Sequence, residues 1–188
     1  KKSSDSATDA ARLAQADQLS ILVPESSVLD GYIGAVYAGM EGGRSEVCVA
    51  IEEHYLPDSA GGYLPGSIPA AALAIADKID SLIGAFSVDE LPTGSRDPYG
   101  LRRAALGLTE ATGSFGFDFD LEELLAAAHN LFIAPKFDIR RDADVVRAAF
   151  AFVRDRVQPR QVGRGPPGGS GGAPRQAGRR GAVPRAFR

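Results

Sequence analysis

Apolar residues recur along this chain at three- and four-residue intervals, and nowhere is there a convincing two-residue alternation of the kind a half-buried strand shows. Ala10, Leu13, Ala14 and Ile21 predict an amphipathic helix over Asp5–Leu22, ended by Pro24. Asp17 falls on the same stripe, an odd place for a charge. Ser26 or Ser27 is the expected cap of a second helix, with Leu29, Ile33, Val36, Tyr37 and Met40 turned inward. Gly31 and Gly34 weaken that helix by up to about 1 kcal/mol each unless they permit close helix packing. A third helix is expected from a Ser45 cap to Leu56, stopped by Pro57, with Val47, Ile51 and His54 on one face.

The second half reads the same way. After a loop rich in Gly and Pro, Ser67 and Pro69 signal a fourth helix with Ile75, Ile79, Leu82, Ile83 and Phe86 inward. Asp77 and Asp80, three apart, share one side of it. Asp97 and Pro98 are the strongest helix start in the chain, as cap and first helical residue. Leu101, Ala104, Ala105 and Leu108 form the inward stripe, Arg102 and Arg103 face away, and Gly113 is the expected break. A sixth helix starts at Asp118 or Asp120, with Leu121, Leu124, Leu125, Ala128 and Phe132 inward. The last starts at Asp142 and buries Val145, Val146, Ala149, Phe150 and Val153. The predicted fold class is all-α.

Composition refines this picture. A chain of 188 residues, 44% hydrophobic, can form one domain with a real core. Its apolar runs fall short of the roughly 20 residues that span a bilayer, and Lys1–Asp9 is polar with no apolar stretch after it. Cys48, the single cysteine, implies a reducing compartment, hence a cytoplasmic protein; beside Val47 and Val49 it reads as core filling. The net charge of −3 hides a split, with +7 on Val157–Arg188 and −10 on residues 1–156. The basic stretch, built of Gly, Pro, Arg and Ala, is expected to be disordered and is a candidate for an out-of-frame translation. The organisation expected is a helical domain over 1–156 and a tail over 157–188.

Glycine-rich phosphate loops and zinc-spaced Cys/His clusters are absent. His129, in an apolar helix, reads as a packing or surface histidine. Asp17, His54, Asp77 and Asp80 are the one constellation that could hold a divalent metal, against a reading as caps and buried ion pairs. Arg96, Arg102 and Arg103 suit phosphate contact, helped by the helix start at Pro98; on these residues alone a solvated basic face pairing with Asp97 and Glu110 is equally compatible.

Five pieces in order resemble the β subunit of the bacterial two-subunit glycyl-tRNA synthetase: AARLAQADQLSILV (10–23), LDGYIGAVYA (29–38), VAIEEHYLP (49–57), ALAIADKIDSLIGAF (72–86) and LPTGSRDPYGLRRAALG (91–107). FDFDLEELL (117–125) and AFAFVRDRV (149–157) fit more loosely. The resemblance implies an internal fragment covering the family's HD-like helical domain. It also implies tRNA binding by the β subunit, an α subunit as partner, and ATP and Mg²⁺ used through that α subunit, none bound by this fragment. A fragment of this kind would be inactive alone. Active HD phosphohydrolases hold metal with an upstream His, an adjacent His-Asp pair and a distant Asp. The pair reads Ala16-Asp17 here, so Asp17, Asp77 and Asp80 would be vestigial and no metal is expected. The alternatives are a degenerate or active HD-type metal phosphohydrolase, and a helical scaffold that binds nothing.

Overall fold

The computed structural model describes residues 2–133 and 138–157. Among these, the chain forms seven α-helices and no strand, with a single isolated bridge between Thr93 and Arg96. The helices are α1 (Lys2–Leu13), α2 (Tyr32–Met40), α3 (Ser45–Glu53), α4 (Ile68–Ser87), α5 (Leu101–Phe115), α6 (Leu121–Ile133) and α7 (Asp144–Arg154). The all-α reading holds. The basic tail expected to be disordered lies, from residue 158 on, outside the described residues. No described helix is long and apolar enough to cross a membrane.

α4 organises the rest. Ser67 adopts extended backbone and its Oγ accepts from the Ala70 N–H at 3.3 Å, while Pro69 sits in the first turn, where a missing donor costs nothing. At 20 residues α4 is about 30 Å long. Its first half, through Ala70 and Leu73, joins Ala10 of α1, Ala35 and Ala38 of α2, and Val47, Ala50 and Ile51 of α3 in one apolar cluster. Its second half joins a larger cluster with α5, α6 and α7. There Ile75, Ile79, Leu82, Ile83 and Phe86 are all buried, as the stripe predicts.

The first three helices depart from expectation. The stretch read as one helix over Asp5–Leu22 breaks after Leu13, because Gln15 takes a left-handed backbone (φ 61°). A 3₁₀ turn follows at Ala16–Leu19, and Ile21 lies on the surface. Ser27–Leu29 forms another 3₁₀ turn, so the second helix starts at Tyr32, not at a serine cap. The face it buries carries Ala35 and Ala38, while Tyr37 and Met40 are exposed. The cause is close approach to α3: a Cβ on Gly31 (φ +74°) would stand 2.5 Å from the Glu52 carbonyl oxygen. Large side chains do not fit between helices that near, and alanines fill the seam. α3 ends at Glu53, short of Leu56.

Later starts shift by a few residues. Asp97 caps α5 from outside, its carboxylate accepting from the Leu101 and Arg102 N–H groups at 2.9 and 3.0 Å, and Pro98 lies in the turn before the helix. Gly113 does not break α5; Gly116, at φ 65°, ends it. Asp120 caps α6 through the Glu123 N–H at 3.0 Å; Leu124 stays partly exposed and Phe132 packs against the core's edge. α7 starts at Asp144, two residues later than expected.

Candidate nucleic-acid interface

Of the carboxylates singled out as a metal constellation, Asp17 and Asp77 bond to backbone and neutral partners. Asp17 is 1% exposed. Its Oδ2 accepts from the Gly31 N–H at 2.6 Å, at the start of α2, and its Oδ1 from the Tyr55 hydroxyl at 3.3 Å. It therefore ties the first 3₁₀ turn to α2 and to the segment after α3. Gln18 donates to the Tyr55 hydroxyl at 3.0 Å, and Gln15 donates to Asp77. Burial pushes the Tyr55 hydroxyl well above its ordinary value; the Gln18 bond opposes this, and the negative charges of Asp17 and Asp77 add to it. Asp80 stands at the surface, its carboxyl raised by partial burial and by the charge of Asp77. His54 is fully buried; its Nδ1 lies 2.6 Å from the Ile51 carbonyl oxygen, so Nδ1 carries the proton. Its Nε2 has no partner, and its ring lies against Tyr55 at 3.9 Å. Among the described residues no three His, Cys, Asp or Glu side chains gather as a metal would need. An HD-type metal does not fit these residues.

Lys78, absent from the sequence-derived candidates, is the most deeply placed cation among the described residues. It is 4% exposed and donates to the His54, Tyr55 and Leu56 carbonyls at 3.3, 3.3 and 2.9 Å. Those oxygens follow α3, where a helix leaves carbonyls unpaired and partial negative charge collects. Burial lowers the ammonium from its ordinary 10.5 to about 8, with Asp77 pulling it back up. The available signal was a lysine between Ile75 and Ile79 on a stripe otherwise apolar. His129 is buried on α6 with Nε2 2.9 Å from the Arg140 carbonyl, a packing role.

The three arginines divide. Arg102 is half-buried and braces the preceding loop, donating to the Gly94 carbonyl at 2.8 Å and the Arg96 carbonyl at 3.4 Å. Arg96 and Arg103 are exposed. Among the described residues none of the three forms an ion pair, so the alternative of a pairing with Asp97 or Glu110 is not seen. Asp97 is spent on the α5 cap, and Glu110 accepts from the Gly61 N–H at 3.1 Å. The cap also means the first free donors of α5 are taken, so the helix start adds less pull on an anion than its sequence suggests. Sequence reasoning missed Arg156, whose guanidinium rests 3.5 Å over the Phe152 ring and feels the charge of Arg102. The ends of α5 and α7 thus bring cations from separate elements to one side.

The family described as "Glycyl-tRNA synthetase beta subunit" matches residues 1–165. The glycine–tRNA ligase beta subunit of Moorella thermoacetica is 39% identical over 149 residues, 79% of this chain and 22% of that protein. That of Desulforapulum autotrophicum is 49% identical over 116 residues, 62% of this chain and 17% of that protein. The Streptococcus suis subunit is 39% identical over 155 residues, 81% of this chain and 23% of its own length. The chain spans less than a quarter of these relatives.

Proposed function

This chain belongs to the glycyl-tRNA synthetase beta-subunit family, and we propose that it serves as a helical, HD-like part of such a subunit and presents part of its tRNA-facing surface. In this reading the chain has no catalysis of its own. It acts in the cytoplasm beside an α subunit that uses ATP and Mg²⁺ to activate glycine, and both contribute to glycyl-tRNA formation. The observation that carries the tRNA contact is the pair Arg96 and Arg103. Two guanidinium groups flank the α5 start, exposed and without carboxylate partners among the described residues, on a body that is otherwise acidic. Guanidinium forks suit phosphate oxygens, and phosphate contacts position a protein on RNA. Arg102 supports them by holding the Gly94–Arg96 backbone.

The test is a titration of the 188-residue chain with glycine tRNA at several salt concentrations. Replacing Arg96 and Arg103 by Gln should weaken binding several-fold and flatten its salt dependence by close to two phosphates' worth of slope. Salt-independent binding, or an unchanged slope in the variant, would overturn the assignment and leave a scaffold.

A further inference from the structure

Next to the arginine loop lies a cavity of about 340 Å³ between the second half of α4 and the residues leading into α5. Its lining is mostly apolar: Ser81, Gly84, Ala85 and Val88 from α4 and its end, then Glu90 and Tyr99. The volume lies at the small end of the roughly 300–1,000 Å³ typical of small-molecule sites. Tyr99 is 60% exposed although it forms part of the wall. Glu90 is exposed and supplies acceptor oxygens only. Arg96 and Arg103 are three and four residues from Tyr99, within roughly 14 Å along the chain.

Hydrogen bonds hold the backbone of the turn that follows α4. The Val88 and Glu90 N–H groups both donate to the Ala85 carbonyl, at 3.3 and 3.0 Å. Asp89 between them takes a left-handed backbone (φ 58°), uncommon for a non-glycine residue although aspartate tolerates it better than most. Arg140 holds it: its guanidinium reaches Asp89 at 2.7 Å and its N–H donates to the Ser87 carbonyl at 2.8 Å.

An exposed aromatic side chain, an apolar-lined pocket, a carboxylate at its rim and nearby unpaired cations are the parts that read a splayed-out base on a single strand. The geometry points to a pocket for one unpaired base of RNA, with Tyr99 stacking on it and Glu90 accepting from its Watson–Crick edge. Guanine suits Glu90 best, since its N1–H and N2–H donors lie side by side and match two carboxylate oxygens. This assignment rests on the tRNA-facing reading above and names what one side of that surface would recognise.

The chain has no tryptophan, so Tyr99→Trp places a single fluorescent reporter at the pocket. The probes are guanosine and adenosine monophosphates, and a uridine hexaribonucleotide with or without one central guanosine. Stacking should quench the fluorescence of the introduced indole, with guanine preferred about tenfold over adenine and the preference erased in Glu90→Gln. The guanosine hexamer should bind tighter than the monophosphate at low salt; equal affinity would point to a free nucleotide and overturn the RNA assignment. Tyr99→Ala should lower glycine-tRNA affinity about tenfold with an unchanged salt slope, and Tyr99→Phe should restore it. No quenching by any probe, or full tRNA affinity in Tyr99→Ala, overturns the pocket. Salt-sensitive tRNA binding with a silent indole would sink the pocket alone. Quenching by guanosine monophosphate without salt-sensitive tRNA binding would sink the wider tRNA reading instead.

Discussion

Replacing Lys78 by Met should do little at pH 7 and considerably more at pH 9.5. The ammonium is 4% exposed and gives three hydrogen bonds to carbonyls that no described backbone donor reaches. Losing those bonds costs about 3 kcal/mol at roughly 1 kcal/mol each. Against this, a charge held in the interior is itself expensive, and methionine of similar length removes that expense. With the native ammonium lowered from 10.5 to about 8, at about 1.4 kcal/mol per pH unit the charged form is disfavoured by about 3 kcal/mol. The two effects nearly cancel at neutral pH. The sign then follows from proton binding. Below pH 8 both native and unfolded chains hold the proton, so stability does not change with pH on this account. Between pH 8 and 10.5 the unfolded chain keeps it and the native one releases it, so native stability rises with pH. From pH 8 to 9.5 wild type should gain about 2 kcal/mol over Lys78→Met, read from urea unfolding of both at pH 7, 8 and 9.5. Above pH 10 Tyr55 works in the opposite direction, because its raised hydroxyl stays protonated when the unfolded one ionises. A difference between the two proteins that stays flat from pH 7 to 9.5 would refute the reasoning.

Other substitutions test the remaining joints. Asp17→Ala should cost about 3 kcal/mol by stranding the buried Gly31 N–H and the Tyr55 hydroxyl, and Asp17→Asn about 1 kcal/mol, in chemical denaturation; an unchanged midpoint for both would remove Asp17 from the tie. Gly107→Ala would gain up to about 1 kcal/mol of helix propensity. A Cβ there stands 2.6 Å from Lys78 Cε and 3.1 Å from the Pro57 carbonyl oxygen, so a net loss of about 1–2 kcal/mol is expected, and stabilisation would contradict the packing. Asp97→Ala should lower stability by about 1–2 kcal/mol, visible as an earlier thermal midpoint, through loss of the α5 cap.

How much was legible depended on which force placed each residue. The α4 stripe was readable because large aliphatic side chains at helical spacing have one place to go, and Ile75 through Phe86 went there. Ser67 and Asp97 were readable because capping is local chemistry, though Asp97 acts from four residues before Leu101 and leaves Pro98 outside the helix. α2 was misread because its buried face is chosen by backbone approach at Gly31, which favours Ala35 and Ala38 over Val36 or Met40. No periodicity announces that. Asp17 betrayed itself as a charge on an apolar stripe, and Lys78 gave the same signal unheeded. The division among Arg96, Arg102 and Arg103 was invisible, because it turns on where the Gly94 and Arg96 carbonyls point once the loop has closed. The pocket beside Tyr99 was hidden for a like reason: Ser81 and Tyr99, which both line it, are eighteen residues apart in sequence and come together only after the chain turns back from α4.

Because α4 lends one half to each apolar cluster, the two clusters meet along it between Leu73 and Ile75. Opening α1–α3 bares the amides near Ala70, and opening α5–α7 bares those near Phe86, but after either event the junction between Leu73 and Ile75 still has packed helix on one side. In deuterium oxide the central amides of α4 should therefore exchange last, at the rate of whole-molecule unfolding. The two ends should report separate, cheaper openings, which makes one helix a readout of how strongly the two halves of the molecule are coupled.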